Sequence, residues 1–135
     1  MKYISLAFAL LICFACTKQF EESELYGVYV PVGYKNNYDT IVLLKNGQYN
    51  RKVYDKKNRL LLNMRGQWDL KNGKEIALHS FYLNTDDDLV KFPYLVNDTT
   101  GGTGDYLHIT NDKTEFCTNY FENDKNCYCK VSGLK

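Results

Sequence analysis

The stretch "LLLNMRGQWDL" (residues 60–70) decides the fold. Its even-numbered positions are mostly apolar and its odd-numbered positions mostly polar, an alternation that is typical of a β-strand with one packed and one solvated face. Two apolar residues in the next segment keep the same spacing. The sequence therefore predicts a core that contains Leu60, Leu62, Met64, Trp68, Ile76 and Leu78.

Further strands lie on both sides of this stretch, with short turns between them. Two "KNG" turns (45–47 and 71–73) and a "DKKN" turn (55–58) contain the Asn and Gly residues that tight hairpins favour. After residue 82 the alternation is weaker, and Pro93 confines any strand there to an edge or a kink. The predicted strands are 25–30, 38–44, 48–54, 60–70, 75–82, 89–96, 106–109, 116–121 and 127–131, with a flexible loop at 97–105.

These segments predict an all-β domain. Consecutive hairpins favour a small antiparallel up-and-down barrel, with a sandwich as the alternative, of about eight strands. The many Tyr residues agree with this fold class, because aromatic side chains pack well on a pleated, half-buried surface.

The N-terminus has the pattern of a secretory signal. Lys2 precedes an apolar run of 13 residues from Tyr3 to Ala15, interrupted only by Ser5. A membrane-spanning helix needs about 20 residues, so the run is too short to span. We therefore divide the chain into a signal peptide (1–15), a polar tether (16–24) and a β-barrel domain (25–135).

Charge argues against one class of partner. The full chain has 17 basic and 16 acidic residues, and removal of the signal with Lys2 makes the two numbers equal. A nucleic-acid-binding domain would carry a basic excess. We expect no nucleic acid partner for the remaining 120 residues, which suffice for one domain.

The junction "FACTKQFEESE" resembles that of bacterial lipoproteins. In that class a small residue precedes a cysteine that receives a lipid anchor, and Ala15 and Cys16 match this pattern. Cys13 and Phe14 stand where relatives usually have Leu and a small residue, and an ordinary secretory signal is the alternative. The resemblance implies a triacylated Cys16 and a permanent membrane attachment, at the outer membrane or cell surface of a Gram-negative envelope.

The barrel region is similar to small lipocalin-like lipoproteins of anaerobic Gram-negative bacteria. The segments that carry the resemblance are "LYGVYV", "DTIVLLKNGQYNRKVY" and "RGQWDLKNGKEIALHSF". The resemblance implies a lipocalin-like barrel that holds a small apolar ligand. The candidate ligand-binding residues are Tyr29 and Trp68, with Phe92 and Tyr94 from the later segment "DDDLVKFPYL". For Trp68 we favour a core position, where Gly66 makes room for close packing, over a place in the ligand cavity.

Three cysteines near the C-terminus predict one disulfide in an oxidising compartment. Cys127 and Cys129 point to the same face of one strand, so they are not expected to pair with each other. Cys117 is expected to pair with either of them across a hairpin. The alternative is that all three thiols are free.

The sequence also contains a predicted glycosylation motif. "DTT" at 98–100 matches a short Asp-Thr motif that receives an O-glycan in some anaerobic Gram-negative bacteria, with Thr99 as the acceptor. Thr40, in "DTI", matches the same motif but lies within a predicted strand.

The sequence has no recognisable catalytic or metal motif, and we expect no cofactor. The run 86–88 of three Asp residues lacks the spacing of a calcium loop. His79 and His108 lie outside any two-His or Cys/His zinc motif. We expect no bound metal and no enzymatic activity.

Two non-catalytic functions remain. The first is binding of a small apolar ligand in the barrel, and the alternative is an envelope protein-interaction module such as an inhibitor or immunity factor. Residues 83–105 hold the longest irregular stretch and are the predicted contact region. A filled core with exposed Tyr residues favours the interaction module, whereas a cavity with aromatic walls favours the ligand.

Overall fold

A computed structural model describes residues 18–32, 37–82, 88–92, 102–110, 112–118 and 127–133. These residues form nine strands and two one-turn helices. The all-β class is therefore confirmed. The elements are α1 (Glu22–Leu25), β1 (Gly27–Pro31), β2 (Asn37–Leu43), β3 (Gln48–Asp55), β4 (Leu60–Lys71), β5 (Glu75–His79), α2 (Asp88–Lys91), β6 (Gly102–Tyr106), β7 (His108–Thr110), β8 (Lys113–Cys117) and β9 (Cys127–Ser132).

The strands form one antiparallel sheet in the order β6-β5-β4-β3-β2-β1-β9-β8-β7. The up-and-down order predicted for the first strands is confirmed, and a single curled sheet, a half-barrel, takes the place of a sandwich. β6 and β7 are the two edges of the sheet, yet only Leu107 separates them in the chain. The sheet must therefore curl until its edges approach each other, and Thr103 of β6 donates a hydrogen bond to the carbonyl of Thr118, just after β8.

The predicted hairpin turns lie where the sequence places them. Gly47 and Gly73 have φ values of 72° and 65°, in the left-handed region that glycine adopts at little cost. Asn58, in the "DKKN" turn, has a φ of 58°. Asp55 supports this turn because its carboxylate accepts hydrogen bonds from the backbone amides of Lys57 and Arg59.

The predicted core is confirmed at all but one position. Leu62, Met64, Trp68, Ile76 and Leu78 are buried, whereas Leu60 is 50% exposed, so its assignment was wrong. The reason is a bulge in β4. Val53 pairs with Leu62 but Tyr54 pairs with Leu60, so Leu61 is an extra residue and the strand changes phase there.

Three strand assignments after residue 82 were also wrong. Residues 88–91 form helix α2 rather than part of a strand over 89–96, and Leu89 of this helix is buried. Residues 102–105, predicted as loop, belong to β6. β8 begins at Lys113 rather than at Phe116, and Thr118 lies beyond its end.

Pairing with β5 explains why a glycine-rich segment forms β6. A Cβ on Gly104 would lie 2.9 Å from the Glu75 carboxylate, and one on Gly102 would lie 3.2 Å from the Leu78 carbonyl. The lack of side chains, which lowers the intrinsic strand propensity, here permits the close approach.

The ordered fold begins before residue 25. Phe20 is buried, and its backbone amide donates to the carbonyl of Gly73 at 2.7 Å. Part of the predicted tether, 16–24, therefore packs on the sheet. No helix within the described ranges, which start at residue 18, is long and apolar enough to cross a membrane.

Candidate functional site

Two of the four predicted ligand-binding residues belong to the packed core. Tyr29 is fully buried, and its hydroxyl donates to the Leu25 carbonyl at 2.8 Å. Burial, with a smaller contribution from nearby Cys129, raises the pKa of Tyr29. Trp68 is 4% exposed and donates from Nε1 to the Leu44 carbonyl. Both side chains are thus satisfied by the protein itself.

A glycine makes room for another buried tyrosine. A Cβ on Gly66 would overlap the ring of Tyr49 and lie 2.5 Å from the His79 carbonyl. The Tyr49 hydroxyl donates to the carbonyls of His79 and Ser80, which ties β3 to the end of β5. Gly66 therefore has the packing role that the sequence suggested.

An ion pair lies on the inner face of the sheet among these aromatic residues. Arg51 and Asp39 have side chains with 0% exposure, and Arg51 Nη2 lies 2.6 Å from Asp39 Oδ2. Arg51 also donates from Nε to Asp39 Oδ1 at 3.0 Å and from Nη1 to the Tyr82 carbonyl. The guanidinium lies 4.3 Å from the centroid of the Phe81 ring.

Tyr128 of β9 extends this pair along the inner face of the sheet. Its hydroxyl donates to Asp39 Oδ2 at 2.7 Å and accepts from Arg51 Nη2 at 3.2 Å. The Tyr128 ring stacks on Phe116, which in turn contacts Tyr29. The chain's own aromatic and charged side chains therefore occupy the inner face where a lipocalin-like ligand would lie.

The other predicted residues are exposed or outside the described ranges. Phe92, which follows α2, is 42% exposed. Tyr94, Thr99 and Cys16 lie outside the described residues, as does most of the predicted contact region 83–105. Their predicted roles remain predictions.

A row of apolar side chains crosses the outer face of β2, β3 and β4. Tyr38 pairs with Tyr54, and Tyr54 pairs with Leu60, so the three residues are neighbours on one face. Tyr38 is 63% exposed and Leu60 50% exposed, with Tyr54 half-buried between them. We call these three residues the outer row. Sequence alternation missed this row because the bulge at Leu61 turns Leu60 outward.

Basic residues flank the outer row on β3 and in the connection that follows it. Lys52 lies on the same face as Tyr54, two positions earlier in β3, and Lys56, Lys57 and Arg59 follow in the β3–β4 connection. All four are exposed. Arg59 also binds Asp55, with its Nε 2.6 Å from the carboxylate. We call these four residues the basic rim of the outer row.

The cysteines and one histidine meet on a different part of the sheet. Cys117 and Cys127 pair directly across β8 and β9, and their sulfur atoms are bonded to each other. Cys129 is a free, half-buried thiol. His108 of β7 lies opposite Glu115 of β8, and its Nε2 is 3.3 Å from the Glu115 carboxylate.

The second histidine lies on the outer face of β5. His79 is exposed, as its position in the alternation predicts, and its Nε2 lies 2.5 Å from Asp69. Both side chains are about half exposed, at 54% and 44%. Solvent screening makes such a surface pair a weak electrostatic interaction.

Comparisons with known proteins do not assign this chain to a family. No family model matches it, and no curated protein matches it. It is similar to the solved structure of an uncharacterized protein from Bacteroides eggerthii DSM 20697. The two chains are 17% identical with a TM-score of 0.47, and the match covers 78% of this chain and 98% of that chain. The function is therefore argued from the geometry of this chain alone.

Proposed function

We propose that this protein is a non-catalytic recognition module that is held at the bacterial envelope by a lipid on Cys16 and binds a protein partner through the outer row. The observation that carries the proposal is the exposed row Tyr38–Tyr54–Leu60, set on three paired strands whose inner face is filled. Of the two functions that the sequence allows, this arrangement favours the interaction module.

The chemistry of the outer row supports a protein partner. Tyrosine provides a large, rigid contact area with a polar tip and is enriched at interface centres. Because the strands already hold Tyr38 and Tyr54 side by side, little conformational entropy is lost when they are covered.

The basic rim indicates the charge of that partner. Lys52, Lys56, Lys57 and Arg59 flank the row on β3 and in the β3–β4 connection, so the complementary surface has an apolar part with acidic residues beside it. Such a rim contributes mainly to the association rate and to orientation, and salt screens it.

The experiment compares envelope cross-linking of variants of the full-length protein. A photo-reactive side chain at position 38 should cross-link to an envelope protein, and Leu60→Ser should reduce the yield. Val131→Ser is the matched control, because Val131 is 51% exposed on β9, away from the outer row. Higher salt should lower the yield by slowing association.

Two results would contradict the proposal. One is an equal yield from position 38 in the Leu60→Ser and Val131→Ser variants. The other is a stoichiometric apolar molecule in solvent extracts of the purified protein, because an internal ligand is the property of the alternative function. Mass spectrometry of the extract tests the second outcome.

A further inference from the structure

The outer face of β7, β8 and β9 brings together side chains that are far apart in the sequence. His108 pairs with Glu115 across β7 and β8, and Cys117 follows Glu115 by two residues, on the same face of β8. Cys127 pairs with Cys117 from β9. One imidazole, one carboxylate and two sulfur atoms therefore share one face of a three-stranded ribbon.

Three of these four ligand groups lie at distances that suit a metal ion, and the Cys127 sulfur lies outside that set. The ligand atoms of His108, Glu115 and Cys117 all lie within 4.8 Å of one another. Ligand atoms around a tetrahedral zinc ion are about 3.3 to 3.8 Å apart, so an inward movement of about 1 Å would complete the geometry. The Glu115 side chain is only 12% exposed and that of His108 44% exposed, so one side of the group is open to solvent.

The disulfide decides whether this group can bind a metal. In the oxidised protein the sulfur of Cys117 is bonded to that of Cys127, and a disulfide sulfur is a poor ligand because metals bind the thiolate. Once the bond is reduced, the same two sulfur atoms remain neighbours across the strand pair. They then provide two soft ligands beside the imidazole and the carboxylate, a donor set that favours Zn²⁺.

We propose that His108, Glu115, Cys117 and Cys127 form a zinc site that reduction of the disulfide opens. A dithiol gives two electrons and two protons to the Cys117–Cys127 bond, which becomes two thiols while the dithiol becomes a cyclic disulfide. Binding of Zn²⁺ then releases one proton from each thiol to solvent. Oxidation of the pair by a disulfide exchange partner reverses both steps and expels the ion.

The site is independent of the outer row, which lies on β2, β3 and β4. Its residues were invisible as a zinc motif in the sequence, because His108 and Cys117 are joined by strand pairing rather than by a short, regular spacing. All four residues lie on adjacent strands, so their proximity does not depend on the curl of the sheet.

The experiment measures Zn²⁺ binding to the full-length protein, purified in detergent, before and after reduction with a phosphine that is removed anaerobically. The reduced protein should bind one Zn²⁺ per chain by equilibrium dialysis, and the oxidised protein none. Co²⁺ should give a thiolate charge-transfer band and a tetrahedral visible spectrum in the reduced protein only. His108→Ala should weaken Zn²⁺ binding by at least about tenfold, the loss that even outer-shell changes cause at zinc sites.

Two controls separate this site from non-specific binding. Cys129→Ser removes a neighbouring thiol of the same strand and face, directly opposite Glu115, that the proposed ligand set does not include, and it should leave the affinity unchanged. His79→Ala removes the other histidine and should also have no effect. Because His108 is on the surface, His108→Ala should fold normally, and a far-ultraviolet circular dichroism spectrum checks this.

Four results would overturn the proposal. The first three are absence of one-to-one Zn²⁺ binding by the reduced wild-type protein, equal binding by the oxidised and reduced forms, and unchanged affinity in folded His108→Ala. Loss of binding in Cys129→Ser would also overturn it, since the ligand set would then be a different one.

Discussion

Arg51 and Asp39 form an ion pair with no solvent exposure of either side chain, on a sheet face that is otherwise packed with aromatic and aliphatic residues. Arg51 lies opposite Ile41 on β2, so Asp39 is its diagonal neighbour across the strand pair. Removing two charges from water is costly, and the attraction between them repays this only when the remaining donors are satisfied. Tyr128 and the Tyr82 carbonyl provide the additional hydrogen bonds.

This pair predicts a non-additive effect of mutation. Asp39→Asn should lower the free energy of unfolding by about 3 to 5 kcal/mol, because it leaves the Arg51 guanidinium buried without a counter-charge. The double variant Asp39→Leu/Arg51→Met should be more stable than Asp39→Asn, since neither charge remains. Urea unfolding of these variants and of the single variants Asp39→Leu and Arg51→Met measures the free energies, and a double variant that loses the sum of its two single effects would contradict the buried pair.

Gly66 predicts a steric effect of a single methyl group. Gly66→Ala places a Cβ against the Tyr49 ring and the His79 carbonyl, so the free energy of unfolding should fall by about 1 to 3 kcal/mol, as in other overpacked cores. Gly133→Ala is the control, because nothing lies within 4 Å of a Cβ there. Equal stabilities of the two variants in urea would show that the Tyr49 ring does not occupy this space.

The bulge in β4 predicts different costs for two neighbouring leucines. Leu62→Ala should cost about 2 to 5 kcal/mol because Leu62 is 4% exposed in the core. Leu60→Ala should cost less than about 0.5 kcal/mol because Leu60 lies on the outer face. Chemical denaturation of both variants tests the register. A larger loss of stability for Leu60→Ala than for Leu62→Ala would show that the bulge lies elsewhere.

Tyr49 predicts a loss of stability at high pH. Burial raises its pKa to about 12, although nearby Arg51 opposes the shift, whereas an unfolded tyrosine has a pKa of about 10. The folded state therefore keeps a proton that the unfolded state releases, so stability falls as pH rises from about 10 to about 12. Tyr49→Phe should make this fall shallower, as measured by urea midpoints over that range. If stability falls equally steeply with pH in Tyr49→Phe, then Tyr49 is not the cause of the fall.

The lipid anchor remains a prediction, with its residue outside the described ranges. Ala15 and Cys16 close a short apolar run, so Cys16→Ser should release the protein from membrane fractions, because a triacyl group provides stable attachment. Cys13→Ser is the matched control and should leave the protein in the membrane pellet. Sedimentation of both variants with membranes to the same extent would argue against lipidation at Cys16.

Local pattern by itself determined the hairpin region. The alternation over 60–70 and the "KNG" turns predict β2 to β5 and most of the core, because the side-chain period and the positive φ of Gly47 and Gly73 are properties of short segments. The outward position of Leu60 was missed because a bulge shifts the phase without any change in polarity. β6 was missed because backbone pairing with β5, rather than strand propensity, holds its glycines in place.

Only the tertiary structure decided how residues distant in the chain meet. Asp39, Arg51 and Tyr128 are unremarkable as isolated residues, and their contact depends on β9 joining β1 while β2 and β3 follow on its other side. The outer row and the group around His108 arise in the same way, from register across strands. A sequence specifies the faces of each strand through local sterics, whereas partners across strands depend on which strands pair and in what register. Strand pairing and register are set by the free energy of the whole sheet and not by any single segment.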